Sequence, residues 1–182
     1  MKSAWRLAAA TAVSMAVASM AAAAAPPAAT PAKTAPAKAA GPSDRAQIEA
    51  LERGFAAAFN AKSVDRVMSY YARDGLFVFD VGTPREHDGW ESYRKDWEGL
   101  FGMFPGLHFA ISDLAITVVG PVAWSHCIQS ATYTGKDGAK TDLVVRVTDV
   151  YRKTGGRGKI VQELVSVPVD FATGKPDMLS KP

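Results

Sequence analysis

Four consecutive segments in the second half of the chain alternate with a period of two and are rich in β-branched residues: LHFAISDLAITVV (107–119), VAWSHCIQSATYT (122–134), TDLVVRVTDVYRK (141–153) and KIVQELVSVPVDF (159–171). GPV, GKDG and KTGGRG separate them. Short turns between alternating runs predict an antiparallel meander of about four strands. Few chains of this length escape the consequence: one face of each strand must be covered, and only the segments upstream can supply the cover.

Those upstream segments read as helices. Ile48, Leu51, Phe55 and Phe59 recur at helical spacing, which predicts a first helix over 44–61, opened by Asp44 and Gln47 as a capping box. Ser63 is a candidate cap for a short second helix through Val64, Val67, Met68 and Tyr71 to about residue 72. Asp74-Gly75 marks a turn, LFVFD (76–80) a short strand and VGTPREHD (81–88) a loop. Trp90, Tyr93, Trp97 and Leu100 predict a third helix with an aromatic face. Three helices followed by a meander is an α+β layout, with the bent sheet wrapped around the first helix and LFVFD added at an edge.

The first 42 residues stand apart. Lys2 and Arg6 precede an uncharged apolar run over 7–21, and AAAAA at 21–25 offers small residues for cleavage, the form of a secretory signal. PPAATPAKTAPAKAAGP (26–42) has too few apolar side chains to build a core and reads as an extended linker. The two segments hold four of the 21 basic residues and none of the 18 acidic ones, so the remainder carries 17 basic and 18 acidic residues. A near-neutral remainder argues against nucleic-acid binding. The expected organisation is a signal peptide at 1–25, a linker at 26–42, one domain at 43–172 and a tail at 173–182, in a periplasmic or secreted protein with no membrane attachment after cleavage. Cys127 is the single cysteine, so no intramolecular disulfide can form and packing alone must hold the domain.

Several stretches carry a family resemblance. FAAAFNAKSVDRVMSYYARDGLFVFD (55–80) resembles the two-helix opening and first strand of the SnoaL-like and ketosteroid isomerase-like bacterial proteins, within the cone-shaped nuclear transport factor two-like superfamily. GWESYRKDW (89–97) resembles their third helix, and VVRVTDVYRK with IVQELVSVPVD their last hairpin. The resemblance spans residues 44–172 and implies the cone fold, which hosts isomerases, cyclases, dehydratases and plain binding domains. In the isomerases an aspartate base ends the first strand, and a helix-one tyrosine with a protonated aspartate forms the oxyanion hole. By this resemblance Asp80 matches the base and Asp149 the oxyanion aspartate, while Phe55 stands at the tyrosine position without a hydroxyl. Relatives often carry His-Glu-His in the last strand, where this chain has Gln162-Glu163-Leu164.

Alternation then assigns faces. Asp149 directed into the cone takes Val145 and Val147 with it. Matching the neighbouring strands to the isomerase pattern directs Trp124, His126 and Ile128 inward, with Glu163, Val165 and Val167. The expected pocket holds Asp80, His126, Asp149 and Glu163 among Phe55, Phe59, Trp90, Tyr93, Trp97 and Trp124. Three acids in one apolar cavity cannot all ionise cheaply, so at least one pKa must rise, and proton transfer beside a carbonyl becomes a candidate chemistry. The plainer reading of Asp80 is a residue that bonds the loop amides after the strand. His87, His108 and His126 lack the close spacing of a zinc site, and no glycine loop for phosphate or Gly-x-Ser-x-Gly elbow is present, so no metal or cofactor is expected. Three functions remain open: isomerase-like or lyase-like chemistry on a small molecule, binding of an apolar ligand without turnover, and a homodimer through the outer sheet face carrying Ser125, Gln129, Arg146 and Thr148.

Overall fold

The structure, a computed structural model, describes residues 43–179; the expected signal peptide and linker lie outside the described residues. Helix α1 (Asp44–Asn60) begins one residue earlier than the capping-box reading implies. Ser43 Oγ accepts from the Ala46 N–H at 3.2 Å, and Asp44 sits inside the first turn, where a negative charge suits the helix dipole. Helix α2 (Val64–Met68) stops short of residue 72. Beyond it the chain extends beside the last long strand: Ala72 N–H donates to Ile160 O at 2.8 Å, and Ile160 N–H to Tyr70 O at 3.0 Å. Tertiary pairing overrides the helical pattern there.

Strand β1 (Phe77–Phe79) is followed by β2 (Glu86–Asp88), helix α3 (Trp90–Met103), β3 (Gly106–Val119), β4 (Val122–Thr134), β5 (Lys140–Thr154) and β6 (Arg157–Ser166). They form one sheet in the order β2-β1-β6-β5-β4-β3. The four-strand meander is as expected. The edge is not: residues 86–88 form a strand rather than a loop, and β1 lies between it and β6, parallel to β6. Residues 173–179, expected as a tail, fold back. β8 (Lys175–Pro176) pairs with β7 (Val169–Asp170), and Val144 N–H donates to Met178 O at 2.8 Å.

Two bulges help bend the sheet. One lies in β3 between Ser112 and Ala115, where Asp113 takes a φ of 54°, and one between Val150 and Tyr151 of β5 and their partners in β6. The concave face closes on α1 and α3 through aromatic packing. Phe59 stacks on Phe109 with ring centroids 4.1 Å apart, and Trp97 meets the edges of Phe55 and Phe59 at 6.0 and 5.1 Å.

The expected inward direction holds for β5 and β6, where Val145, Val147, Asp149 and Glu163 are buried. It fails for β4. Ser125 pairs with Asp149 and Cys127 with Val147, so Ala123, Ser125, Cys127, Gln129 and Ala131 face inward. His126 is exposed and Trp124 is 41% exposed, both on the outer face. Ser125 and Gln129, expected outside, are buried. A shift of one residue reverses a whole strand.

Candidate functional site

Sheet pairing aligns one residue from each of five strands across the inner face. Val78 pairs with His87 on one side and Glu163 on the other; Glu163 pairs with Asp149, and Asp149 with Ser125. All five are buried. A polar row in a core requires internal partners. Tyr71 donates to Glu163 Oε2 at 2.8 Å and Tyr93 to Oε1 at 2.6 Å. Further along, the Tyr151 hydroxyl donates to Glu52 Oε1 at 2.6 Å, lies 2.8 Å from Ser125 Oγ and 3.4 Å from Asp149 Oδ2. The result is a continuous buried chain from Glu52 on α1 to Tyr93 on α3.

This chain contains three carboxyl groups, and among the described residues no lysine or arginine is buried with them. Burial raises the Asp149 carboxyl well above its usual range, and the neighbouring charges of Glu163 and Glu52 raise it further. Its Oδ1 accepts no hydrogen bond, as suits a protonated acid that donates to Glu163 instead. Burial also raises Glu52, against the pull of its Tyr151 hydrogen bond. Glu163 is pushed up to about 7 by burial, with the bonds from Tyr93 and Tyr71 holding it down from a higher value. Burial and the Glu163 charge raise both tyrosines, which therefore remain donors. Asp149 and Glu163 are therefore both raised, and as neighbouring buried acids they titrate as a pair.

Glu163 opens onto a cavity of about 450 Å³ between the helices and the sheet. Phe55, Phe59, Tyr93 and Trp97 line it as expected, joined by Phe109 and Val145. Four other expected site residues lie elsewhere. His126 and Trp124 face outward, for the register reason given above. Trp90 packs away from the cavity, its Nε1 donating to Met68 O at 3.0 Å and its ring carrying the Arg73 guanidinium at 3.5 Å. Asp149 is completely enclosed and reaches the cavity only through Glu163. Asp80 bonds the loop after its strand, as the plainer reading expects, and also stands beside the cavity. Its Oδ1 accepts from the Val81 and Gly82 amides at 2.6 and 3.3 Å, and it lines the cavity mouth.

Several site residues escaped the sequence reading. Glu52 lies one helical turn from both Ile48 and Phe55, on the apolar face, and that position was the available signal. Tyr71 stands at helical spacing with Val64, Val67 and Met68, a pattern that signals packing alone. His87 and Asp96 line the mouth beside Asp80, and Gln129 lines the wall from β4. Desolvation raises Asp96, opposed by His87 and aided by Asp80.

Residues 48–170 match the SnoaL-like domain family. No curated protein matches the sequence. Among solved structures, an NTF2-like protein of unknown function from Pseudomonas putida KT2440 is 25% identical; the match covers 75% of this chain and 95% of that one with a TM-score of 0.68. A nuclear transport factor 2 (NTF2-like) superfamily protein from Salmonella enterica serovar Typhimurium LT2 is 15% identical over 74% of this chain and 97% of that one, TM-score 0.64. A ketosteroid isomerase-like protein from Erwinia carotovora atroseptica SCRI1043 is 21% identical over 68% and 95%, TM-score 0.58. By the family match over most of the described residues, together with the α+β cone, this chain belongs to the SnoaL-like domain family, within the nuclear transport factor 2-like superfamily.

Proposed function

We propose that the cone binds a small, largely apolar molecule bearing a carbonyl, and that Glu163 moves a proton at the carbon beside it. One observation carries this reading: an enclosed carboxyl facing an aromatic cavity, fixed by two phenols and poised at about 7. A base that titrates near working pH is the most effective kind. Asp149 supports Glu163 from behind by keeping a proton of its own.

The arrangement is not that of a steroid isomerase. Phe55 offers no hydroxyl, Asp149 faces Glu163 rather than the cavity, and Asp80 is held by loop amides. Proton transfer in this reading therefore centres on Glu163, with Asp80 at the mouth. The test needs no knowledge of the natural ligand. Cyclic ketones and enones are incubated in deuterated buffer and exchange at the carbon beside the carbonyl is followed by NMR. The protein should accelerate exchange for a subset, with a rate that rises with pH through about 7, and Glu163→Gln should lower it by about a hundredfold or more. Exchange no faster than buffer, or an unchanged rate in the variant, refutes the catalytic reading; a compound that binds without exchange leaves a binding domain.

A second observation favours self-association. Trp124, Leu164 and Val122 are 41%, 39% and 39% exposed on the outer sheet face, a surface suited to a homodimer. The basic start and apolar run before residue 26 support export to the periplasm, which N-terminal sequencing of the mature protein tests.

A further inference from the structure

Asp80, His87 and Asp96 reach the cavity mouth from three elements: the end of β1, the middle of β2 and the second turn of α3. One donor atom from each lies within 4.8 Å of the other two. His87 is 3% exposed, and Tyr93 lies against its ring at 5.1 Å. Ser92 Oγ, 3.4 Å from Nδ1, steadies that side of the imidazole. Nε2 then faces Asp96 Oδ2 at 3.9 Å. That distance is too long for a hydrogen bond and only a little longer than the roughly 3.5 Å between two ligands of one cation. Asp80 is also half-committed: its Oδ1 is taken by loop amides, which leaves Oδ2. Two carboxylates thus approach the Nε2 side of an imidazole that is 3% exposed. Lys95 also lines the cavity and forms no ion pair with Asp80 or Asp96 among the described residues.

We propose that Asp80, His87 and Asp96 form a binding site for one first-row divalent cation, of the Zn²⁺ or Mn²⁺ class, at the cavity mouth. The imidazole favours such ions over Mg²⁺ or Ca²⁺. Metal–ligand distances of about 2.1 Å require the three donors to draw together to roughly 3.5 Å. The half-exposed Asp80 and Asp96 can make that movement by side-chain rotation. Ser92 supplies the outer hydrogen bond that fixes the imidazole orientation. Three protein ligands leave a position open toward the cavity, for water or for a ligand oxygen. That last use rests on the ligand-binding reading above; the cation site itself does not.

The competing arrangement is direct pairing of His87 with the two carboxylates, with no metal. Isothermal titration of EDTA-treated protein with ZnCl2 and with MnCl2 separates the two. The expected result is one ion per chain, weakened about tenfold or more in both His87→Ala and Asp96→Asn. Asp96 is partly exposed, so Asp96→Asn is the decisive variant if His87→Ala folds poorly; thermal unfolding checks both. His126→Ala, on the outer face, should bind as wild type. Glu163→Gln should also keep the ion, so failure of the proton-transfer reading and failure of the metal site are distinct results. Absence of binding at millimolar metal, wild-type affinity in both His87→Ala and Asp96→Asn, or loss of the ion in His126→Ala overturns the proposal.

Discussion

Tyr93→Phe removes one of the two hydroxyls that hold Glu163, and its consequence can be worked through without a ligand. The lost bond is 2.6 Å long and ends on a carboxyl that is 3% exposed. A hydrogen bond to a charged group contributes about 1.5–3 kcal/mol, and one to a neutral group about 1 kcal/mol. The difference falls on the ionised form alone. At 1.36 kcal/mol per pKa unit, it raises the carboxyl by about one unit, upward from about 7. The direction of the stability effect follows. Glu163 is already raised above its ordinary value of 4.5, so the folded protein keeps a proton that the unfolded chain releases. The stability from that proton is fully present below 4.5 and is lost as pH rises through about 7. Tyr93→Phe should therefore cost about 1 kcal/mol in acid and about 2–3 kcal/mol in mild base, where the carboxylate loses its charge-assisted partner. Asp149 shares hydrogen bonding with Glu163, so the titration observed belongs to the pair. Carboxyl ¹³C NMR reads the pKa, and thermal unfolding on both sides of it reads the stability. Equal destabilisation in acid and base, or a lowered carboxyl pKa, would refute the account of Glu163 as a phenol-stabilised buried acid.

Two further outcomes follow from burial and exposure. Cys127 is buried on the inner face of β4, where desolvation and then the Asp149 and Glu52 charges raise its thiol. It should resist iodoacetamide in mild base until the protein is unfolded, as mass spectrometry would show. Trp124→Glu places a charge in the exposed apolar patch of β4; sedimentation equilibrium should show a dimer in the parent protein and a monomer in the variant, and an unchanged mass distribution would remove this face as the interface.

Legibility differed between the fold and the site for a physical reason. Period-two alternation and the helical spacing of Ile48, Phe55 and Phe59 report local geometry, so the meander, α1 and α3 could be read directly. Alternation states which residues share a face; it does not state which face is covered. In β4 one parity carries Trp124 and Ile128 and the other Ala123, Cys127 and Ala131, so hydrophobicity alone does not choose between them. The choice is made by pairing with β5 across the 135–139 turn, where a change of one residue in loop length exchanges Ser125 for His126 opposite Asp149. The same holds for the polar chain: Glu52, Tyr71, Tyr93, Asp149 and Glu163 are spread over 112 positions of sequence and meet only because α1, α3, β5, β6 and the segment after α2 pack together. The order of elements and the presence of acids at Asp80, Asp149 and Glu163 are legible in the residue pattern. That Glu163 faces the cavity, that Asp149 stands behind it and that His126 lies outside follows from packing, because burial and charge coupling depend on neighbours that the chain order does not specify.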